Sequence, residues 1–229
     1  AAFTEMRARG SKITDIVVLV VAADDGVKPQ TVEAINHSKA AKVPIIVAIN
    51  KCDLPGADPQ KVKNELLQYE IIAEELSGDT LFAEVSATTK NNLDKLKENI
   101  ILQSDLLDLK ASFEGSATGV ILESRIDKGK GPVSTVLVLN GKLEKGNYFV
   151  SGNTRGKIRA MINDVGDNID SASPSTPVEI LGMNNSAFAG DDLIVVESEE
   201  KAKEINKYRI ENDKSKQAPL ISANKESAF

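Results

Sequence analysis

A continuous apolar run of strand length, Ile45 to Ile49, stops abruptly at the polar residues Asn50, Lys51 and Asp53. A run of this kind predicts a strand buried on both faces, as in the parallel sheet of an α/β protein. In such sheets ligands bind in a crevice beyond the carboxyl ends of the strands. The run therefore constrains the fold and also predicts where polar side chains can meet a ligand.

A second short apolar run, Leu81 to Val85, ends in the same way at Ser86 and Ala87. Because the carboxyl ends of parallel strands meet at one edge of a sheet, we expect the two polar loops to lie together. The order of the pattern, strand followed by polar loop and then by a helix, is the same in both places.

The polar groups of the two loops match the hydrogen-bonding edge of guanine. The Asp53 carboxylate can accept hydrogen bonds from the N1 and N2 groups of the base, and the Asn50 amide can bond the N7 side. The Lys51 stem can cover the ring face, while the loop of Ser86 and Ala87 can offer backbone N–H groups to O6. Adenine lacks the matching donor pair and would leave Asp53 unpaired. Asn-Lys-x-Asp with a Ser-Ala partner is the guanine-recognition signature of GTP-binding proteins.

A simpler interpretation is that residues 50–53 only cap the next helix, because Asn and Asp favour turns and helix starts. A cap does not require the second loop, so we favour the guanine site. Cys52 fills the variable position of the motif, and as the single cysteine it cannot form an internal disulfide. His37, the single histidine, falls within a predicted helix and is interpreted as a surface or partly packed residue.

Composition predicts aliphatic cores and excludes several classes of protein. Hydrophobic residues make up 41% of the chain, aromatic residues only 4%, and tryptophan is absent. A net charge of −6 argues against sequence-independent wrapping of nucleic acid. No apolar run approaches the ~20 residues of a membrane span, and no signal peptide is visible. We therefore expect a soluble, cytoplasmic protein.

The periodicity of the first half predicts helices that alternate with parallel strands. The apolar face of the second full helix is predicted to carry Val62, Leu66 and Leu67, and that of the last helix Leu93, Leu96, Ile100 and Leu107. The predicted helices cover residues 1–9, 29–42, 59–69 and 91–110, and the predicted strands cover residues 15–23, 44–49 and 81–85.

After residue 111 the helical period disappears, and short β-rich segments recur between turn signals. They predict a small closed or nearly closed β-barrel, followed by a solvated helix over residues 197–216 and a frayed tail. The predicted strands cover residues 119–126, 134–139, 148–151, 157–162, 177–181 and 193–196. The predicted domains are residues 1–111, 117–197 and 198–229.

A GTP hydrolase needs a phosphate-binding Gly-x-x-x-x-Gly-Lys followed by Ser or Thr, and the sequence contains none. The segment Gly152 to Lys157 comes closest, but its spacing is one residue short and it lies in the predicted barrel. Residues 24–26, Asp-Asp-Gly, end the wrong strand to contact a γ-phosphate. We interpret the chain as the C-terminal part of a G domain whose first half lies upstream of Ala1, followed by the barrel.

Longer stretches resemble a known family. The segment Asp15 to Asp58 resembles the translational GTPases, and within them the translation initiation factor 2 family of bacteria and organelles. Ala1 to Gly10 is similar to that family's helix after its Asp-Thr-Pro-Gly-His element. Asp127 to Val138 and Pro174 to Gly182 resemble its second domain. The implied fold class is α/β, the C-terminal part of a parallel-sheet P-loop-type G domain, followed by a small all-β barrel and a C-terminal helix.

The resemblance implies a function for the whole protein. It would bind GTP or GDP with Mg²⁺, bring initiator tRNA to the ribosome, promote subunit joining and hydrolyse GTP, in a bacterial cytoplasm or an organellar matrix. The water-positioning histidine would precede Ala1 and the tRNA-binding domain would follow Phe229, so the chain would carry no catalytic residue and no metal ligand. The guanine pocket carries over onto Asn50, Lys51, Asp53, Ser86 and Ala87.

Two alternatives remain open at this stage. One is another translational GTPase, an elongation or release factor. The other is a non-catalytic protein that docks on a ribosome or another partner through an α/β domain and a barrel. An NAD-dependent dehydrogenase is disfavoured, because no Gly-x-Gly-x-x-Gly follows the strand that begins at Asp15.

Overall fold

The computed structural model describes residues 13–226, with side chains described for residues 13–213. The chain divides into two compact units, Ala1–Leu109 and Lys110–Phe229. The helix predicted over residues 1–9 lies outside the described residues. The finer domain boundaries at residues 111, 117 and 197 stay predictions.

Within the described residues, the first unit is a three-stranded parallel sheet with helices, in the strand order β1-β2-β3. The predicted α/β sheet is thereby confirmed. Ala22 at the end of the first strand pairs with Asn50 at the end of the second, so the two carboxyl ends lie side by side. The elements are β1 Val17–Ala22, α1 Pro29–Ala40, β2 Ile45–Asn50, α2 Pro59–Leu67, β3 Phe82–Glu84 and α3 Leu93–Leu107.

The central strand β2 is apolar up to its last residue, Asn50, because both of its faces are covered. Leu19, Val47 and Ile49 pack with residues of α1 and α2 on one side. Ala48 packs on the other side, with Leu96 of α3 against the same cluster. Full burial of a Val, Leu or Ile side chain contributes about 1.5–3 kcal/mol, so packing on both faces stabilises β2 at the centre of the sheet.

Val62 and Leu66 of the predicted α2 face are fully buried, but the prediction is wrong for Leu67, which is 39% exposed. Lys63 on the same helix is only 5% exposed, and its Nζ lies 2.9 Å from carboxylates of Glu75 and Glu84. Leu107 is exposed like Leu67, whereas Asn99 is buried and donates to a backbone carbonyl of β3 at 3.1 Å. Lys63 and Asn99 are buried because distant segments supply their hydrogen-bond and ion-pair partners. Helical periodicity predicts that such polar residues face the solvent, because it contains no information about distant partners.

The second unit contains a closed six-stranded barrel, which confirms the predicted β-barrel. The strands are β4 Thr118–Asp127, β5 Gly131–Asn140, β6 Leu143–Glu144, β7 Tyr148–Ser151, β8 Thr154–Ile162, β9 Asn168–Ile169, β10 Ser171–Ala172, β11 Pro177–Met183 and β12 Asp192–Val196. The six barrel strands pair in the order β11-β5-β4-β12-β7-β8, and β8 pairs again with β11 to close the ring. The short strands β6, β9 and β10 were not predicted.

The last helix, α4 Glu199–Glu226, begins against the barrel and runs past the predicted end at residue 216. Ala202 is only 1% exposed, and Arg209 Nη1 donates to the Gly152 carbonyl at 3.0 Å. The prediction of a solvated helix leaving the barrel is therefore wrong for its first turns. Among the described helices, none has the length and apolar character needed to cross a membrane.

Candidate guanine-recognition site

The Asn50 loop leaves the sheet through a sharp turn that both neighbouring strands hold in place. Lys51 has a φ of +65°, a left-handed conformation that a residue with a side chain adopts only when its surroundings enforce it. The Ala23 amide donates to the Asn50 carbonyl at 2.8 Å, and the Cys52 amide donates to the Val85 carbonyl at 3.2 Å. The loop is thus fixed between the ends of β1 and β3.

The Asn50 side chain joins the two polar loops. Its Oδ1 accepts a hydrogen bond from the Ala87 backbone N–H at 3.0 Å. Because an N–H must face an oxygen, this contact sets the orientation of the amide and leaves Nδ2 as a donor. The structure therefore brings the two loops together, but the Ala87 N–H, which we expected to face O6, is directed at Asn50.

Asp53 is exposed, and no described residue gives its carboxylate a hydrogen bond or an ion pair. The cap of the following helix is instead Asp58, whose Oδ1 accepts from the Lys61 backbone N–H at 3.0 Å. Asp53 is therefore not used as a helix cap, and that alternative is wrong. A carboxylate with free acceptor positions at the carboxyl end of a parallel sheet is suited to a ligand that presents paired N–H donors.

Ser86 is buried and stabilises the second loop from within, and it is not part of the exposed surface of that loop. The residue is 1% exposed, its Oγ accepts from the Thr89 backbone N–H at 3.1 Å, and its own N–H donates to the Asn91 carbonyl at 3.2 Å. The Asn92 side chain also donates to the Glu84 carbonyl at 2.8 Å. These bonds hold the loop compact and fix the position of the adjacent Ala87.

The sequence analysis missed an acidic neighbour of the site. Lys51 Nζ lies 3.2 Å from Asp24 Oδ2 and 3.8 Å from Asp25 Oδ2, in the loop that follows β1. The sequence assigns no ligand contact to residues 24–26, because they follow the wrong strand for a phosphate contact. The signal that could have found them is the parallel register, since Ala22 and Asn50 are paired and the residues after them must be neighbours.

His37 is partly packed, as predicted, and Cys52 is a partly buried free cysteine. Burial first, and then the nearby Glu84 carboxylate, raise the pKa of the Cys52 thiol, which donates to the Ile49 carbonyl at 3.2 Å. His37 lies on α1, with Nε2 at 3.6 Å from Glu33 Oε1. Over residues 13–213, whose side chains are described, no group of three or more His, Cys, Asp or Glu side chains is arranged to hold a metal ion.

Comparison with known proteins assigns a family to both units. Residues 1–105 match the model of the Elongation factor Tu GTP binding domain, and residues 116–196 match that of Elongation factor G domain 2. A relative from Pelagibacter ubique, named Translation initiation factor IF-2, is 63% identical over 229 residues, which is 100% of this chain. The chain belongs to the translational GTPase family.

Other members of the family show the same relationship at lower identity. A factor of the same name from Cereibacter sphaeroides is 58% identical over 97% of this chain. This chain spans 31% of the length of the Pelagibacter ubique factor and 27% of the Cereibacter sphaeroides factor.

Solved structures of other translational GTPases share the fold. The crystal structure of GDP-bound aIF5B from Aeropyrum pernix superposes with a TM-score of 0.73 at 22% identity, over 89% of this chain and 44% of that one. The elongation factor SelB from Methanococcus maripaludis, in its apo form, gives a TM-score of 0.64 at 22% identity, over 82% of this chain and 41% of that one. At this identity the likeness shows the fold alone.

Proposed function

We propose that this chain is part of a translation initiation factor and that its two polar loops read the guanine base of GTP or GDP. The observation that carries the proposal is the Asn50–Ala87 hydrogen bond of 3.0 Å, which joins the loops beside a carboxylate, Asp53, that has free acceptor positions. The 63% identity to a protein named Translation initiation factor IF-2 supports initiation over an elongation or release factor.

Each residue has a distinct role in the proposed pocket. The Asp53 carboxylate accepts from N1–H and the N2 amino group of guanine, and these charge-assisted bonds determine the choice of base. Asn50 Nδ2 donates on the N7 side, where guanine offers only acceptors. The Lys51 stem covers the ring face. Ser86 and Ala87 provide the second wall, through the fixed loop backbone and the bond to Asn50.

For the whole protein, we propose GTP binding with Mg²⁺, GTP hydrolysis, and promotion of initiator tRNA binding and ribosomal subunit joining in a bacterial cytoplasm. The names of the bacterial relatives support this role. Magnesium would neutralise phosphate charge, and we assign none of its ligands to these 229 residues. Alone, this chain should not turn over GTP, because its sequence lacks the phosphate-binding motif on which phosphoryl transfer depends.

The proposal is tested by replacing Asp53 with Asn in the full-length factor and titrating GTP and XTP. Asn places a donor where an acceptor is required, so GTP binding should weaken by about 3–5 kcal/mol, a few hundredfold or more. XTP binding should strengthen, because xanthine carries a carbonyl where guanine carries its amino group.

Asp58→Asn is the matched control. It removes the same charge from the same exposed loop and keeps a residue that caps helices well, so neither affinity should change more than about twofold. Circular dichroism checks the folding of both variants. The proposed base contact is excluded if Asp53→Asn lowers GTP affinity less than about threefold or leaves XTP affinity unchanged.

A further inference from the structure

The inference concerns the ion pair between Lys51 and the loop after β1. The distance from Lys51 Nζ to Asp24 Oδ2 is 3.2 Å, within hydrogen-bond reach, whereas Asp25 Oδ2 lies at 3.8 Å. Asp25 also pairs with Lys28 at 3.4 Å, and its side chain is 55% exposed, against 32% for Asp24. Asp24 is therefore the principal partner of the Lys51 ammonium.

The loop that carries Asp24 is held in one position from several sides. The Gly26 amide donates to the Ala22 carbonyl at 3.0 Å, and the Asp58 amide donates to the Ala23 carbonyl at 3.0 Å. The Val27 amide donates to the carboxylate of Glu65 on α2 at 2.7 Å. Asp24 thus presents its carboxylate from a loop anchored both to β1 and to the Asp58 segment.

Gly26 shows how closely α2 approaches this loop. Its φ is +74°, and a Cβ at this position would lie 2.6 Å from Glu65 Oε2. The backbone conformation therefore favours glycine here, and the space beside it is filled by the Glu65 carboxylate, which accepts from the Val27 amide. The hydrogen bonds of this segment hold the acidic loop in place, so the Asp24 carboxylate can restrict the position of the flexible Lys51 side chain.

We propose that Asp24 is a positioning residue for Lys51 in guanine-nucleotide binding. The inference rests on the proposed function, in which the Lys51 stem covers the ring face. A lysine side chain has four rotatable bonds, and binding must otherwise restrict them at an entropic cost. An ammonium held at Asp24 restricts the stem before the nucleotide arrives. Asp24 acts through Lys51 and is assigned no contact with the base.

In this arrangement, the effect of Asp24 on nucleotide affinity should not depend on which base is bound. The ring face of xanthine can be covered by the same stem as that of guanine, so loss of Asp24 should weaken GTP and XTP binding alike. Replacement of Asp53 should behave differently, because it should weaken GTP binding and strengthen XTP binding. Titrations with GTP and XTP can therefore distinguish the role of Asp24 from that of Asp53.

The experiment is a double-mutant cycle in the full-length factor, with Asp24→Asn, Lys51→Met and both changes together. Met keeps an unbranched apolar stem but carries no ammonium. Asp24→Asn should weaken both nucleotides about threefold to fivefold at low salt, as expected for an exposed charge pair. In the Lys51→Met background, Asp24→Asn should have no further effect. At ~1 M salt the effect of the single change should shrink, because exposed charges are screened.

Asp25→Asn is the matched control and should change affinity less than about twofold, because this carboxylate is farther from Lys51 and shared with Lys28. The inference is overturned if Asp24→Asn leaves affinity unchanged, or if it weakens binding equally with and without the Lys51 ammonium. The second outcome would mean that Asp24 supports only the loop. If Asp53→Asn still exchanges GTP for XTP in that case, the proposed function stands while this inference fails.

Discussion

The Oδ1 atom of Asn50 and the backbone nitrogen of Ala87 lie 3.0 Å apart, although 37 residues separate them along the chain. The contact gives the amide of Asn50 two uses at once. Its oxygen holds the second loop against the first, and its nitrogen remains available as a donor to a ligand. The structural use and the binding use of this one side chain can therefore be separated by mutation.

Asn50→Asp should keep the link between the loops and lose nucleotide affinity. The new carboxylate still accepts from the Ala87 N–H, but it has no donor and places a charge beside the N7 and O6 acceptors of guanine. We expect GTP affinity to fall at least about tenfold, with a thermal midpoint within a few degrees of the wild type. Isothermal titration and circular dichroism on the full-length factor measure the two quantities.

Asn50→Ala is the companion variant, since it removes the link as well as the donor. Its melting temperature should fall below that of Asn50→Asp, because the Ala87 N–H loses its acceptor. Equal melting temperatures for the two variants would show that the link contributes no stability. Unchanged GTP affinity in Asn50→Asp would remove Asn50 Nδ2 from the proposed pocket.

Gly182→Ala should destabilise the barrel at the point where it closes. Gly182 has a φ of +118°, and an added Cβ would collide with the Lys157 carbonyl oxygen on β8. The pairing of β11 with β8 shifts register at this residue, and the two backbones lie too close together to accommodate a Cβ. We expect a loss of about 3 kcal/mol or more in the free energy of unfolding, measured with guanidinium chloride and circular dichroism.

Gly146→Ala provides the control for that prediction. Gly146 has a similar φ of +94°, but nothing lies within 4 Å of an added Cβ. Only the backbone conformation is penalised, so the cost should be about 1–2 kcal/mol. If the two variants lose the same stability, the close approach of the strands at Gly182 has no energetic role.

Asp127 should make the β4–β5 hairpin turn sensitive to acid. Its Oδ1 accepts from the Gly129 and Lys130 amides at 2.8 and 2.9 Å, and these bonds hold the pKa of the carboxyl below its ordinary value. The ionised carboxylate contributes fully to folding stability above the ordinary aspartate pKa of about 4. This contribution is lost as the pH falls through the lowered pKa of Asp127 in the folded protein. The turn should therefore loosen only in the acid range.

An NMR titration of the two turn amides measures this effect. The Gly129 and Lys130 amide shifts should follow one titration with a midpoint below that of an ordinary aspartate. Asp127→Asn keeps an acceptor but cannot titrate, so the acid-dependent shift should disappear. A midpoint at or above the ordinary value would contradict the assignment.

The sequence alone determined the main helices and strands and the candidate base-reading residues. The run before Asn50 is apolar because β2 is buried on both faces, and that burial is visible without a structure. The polar residues that end the run, together with Ser86 and Ala87, were identified from spacing and chemistry. The six main barrel strands were likewise predicted from their turn signals.

The tertiary structure decided which of these residues touch. It directs the Ala87 N–H to Asn50, gives the helix cap to Asp58 and places Asp24 beside Lys51. It also buries Lys63 on α2 and leaves Leu67, which the pattern placed on the apolar face, exposed. Periodicity and motif spacing report on neighbours within a few residues along the chain. Strand register, ion pairs and satisfied buried charges depend on residues far apart in sequence, and only folding brings those together.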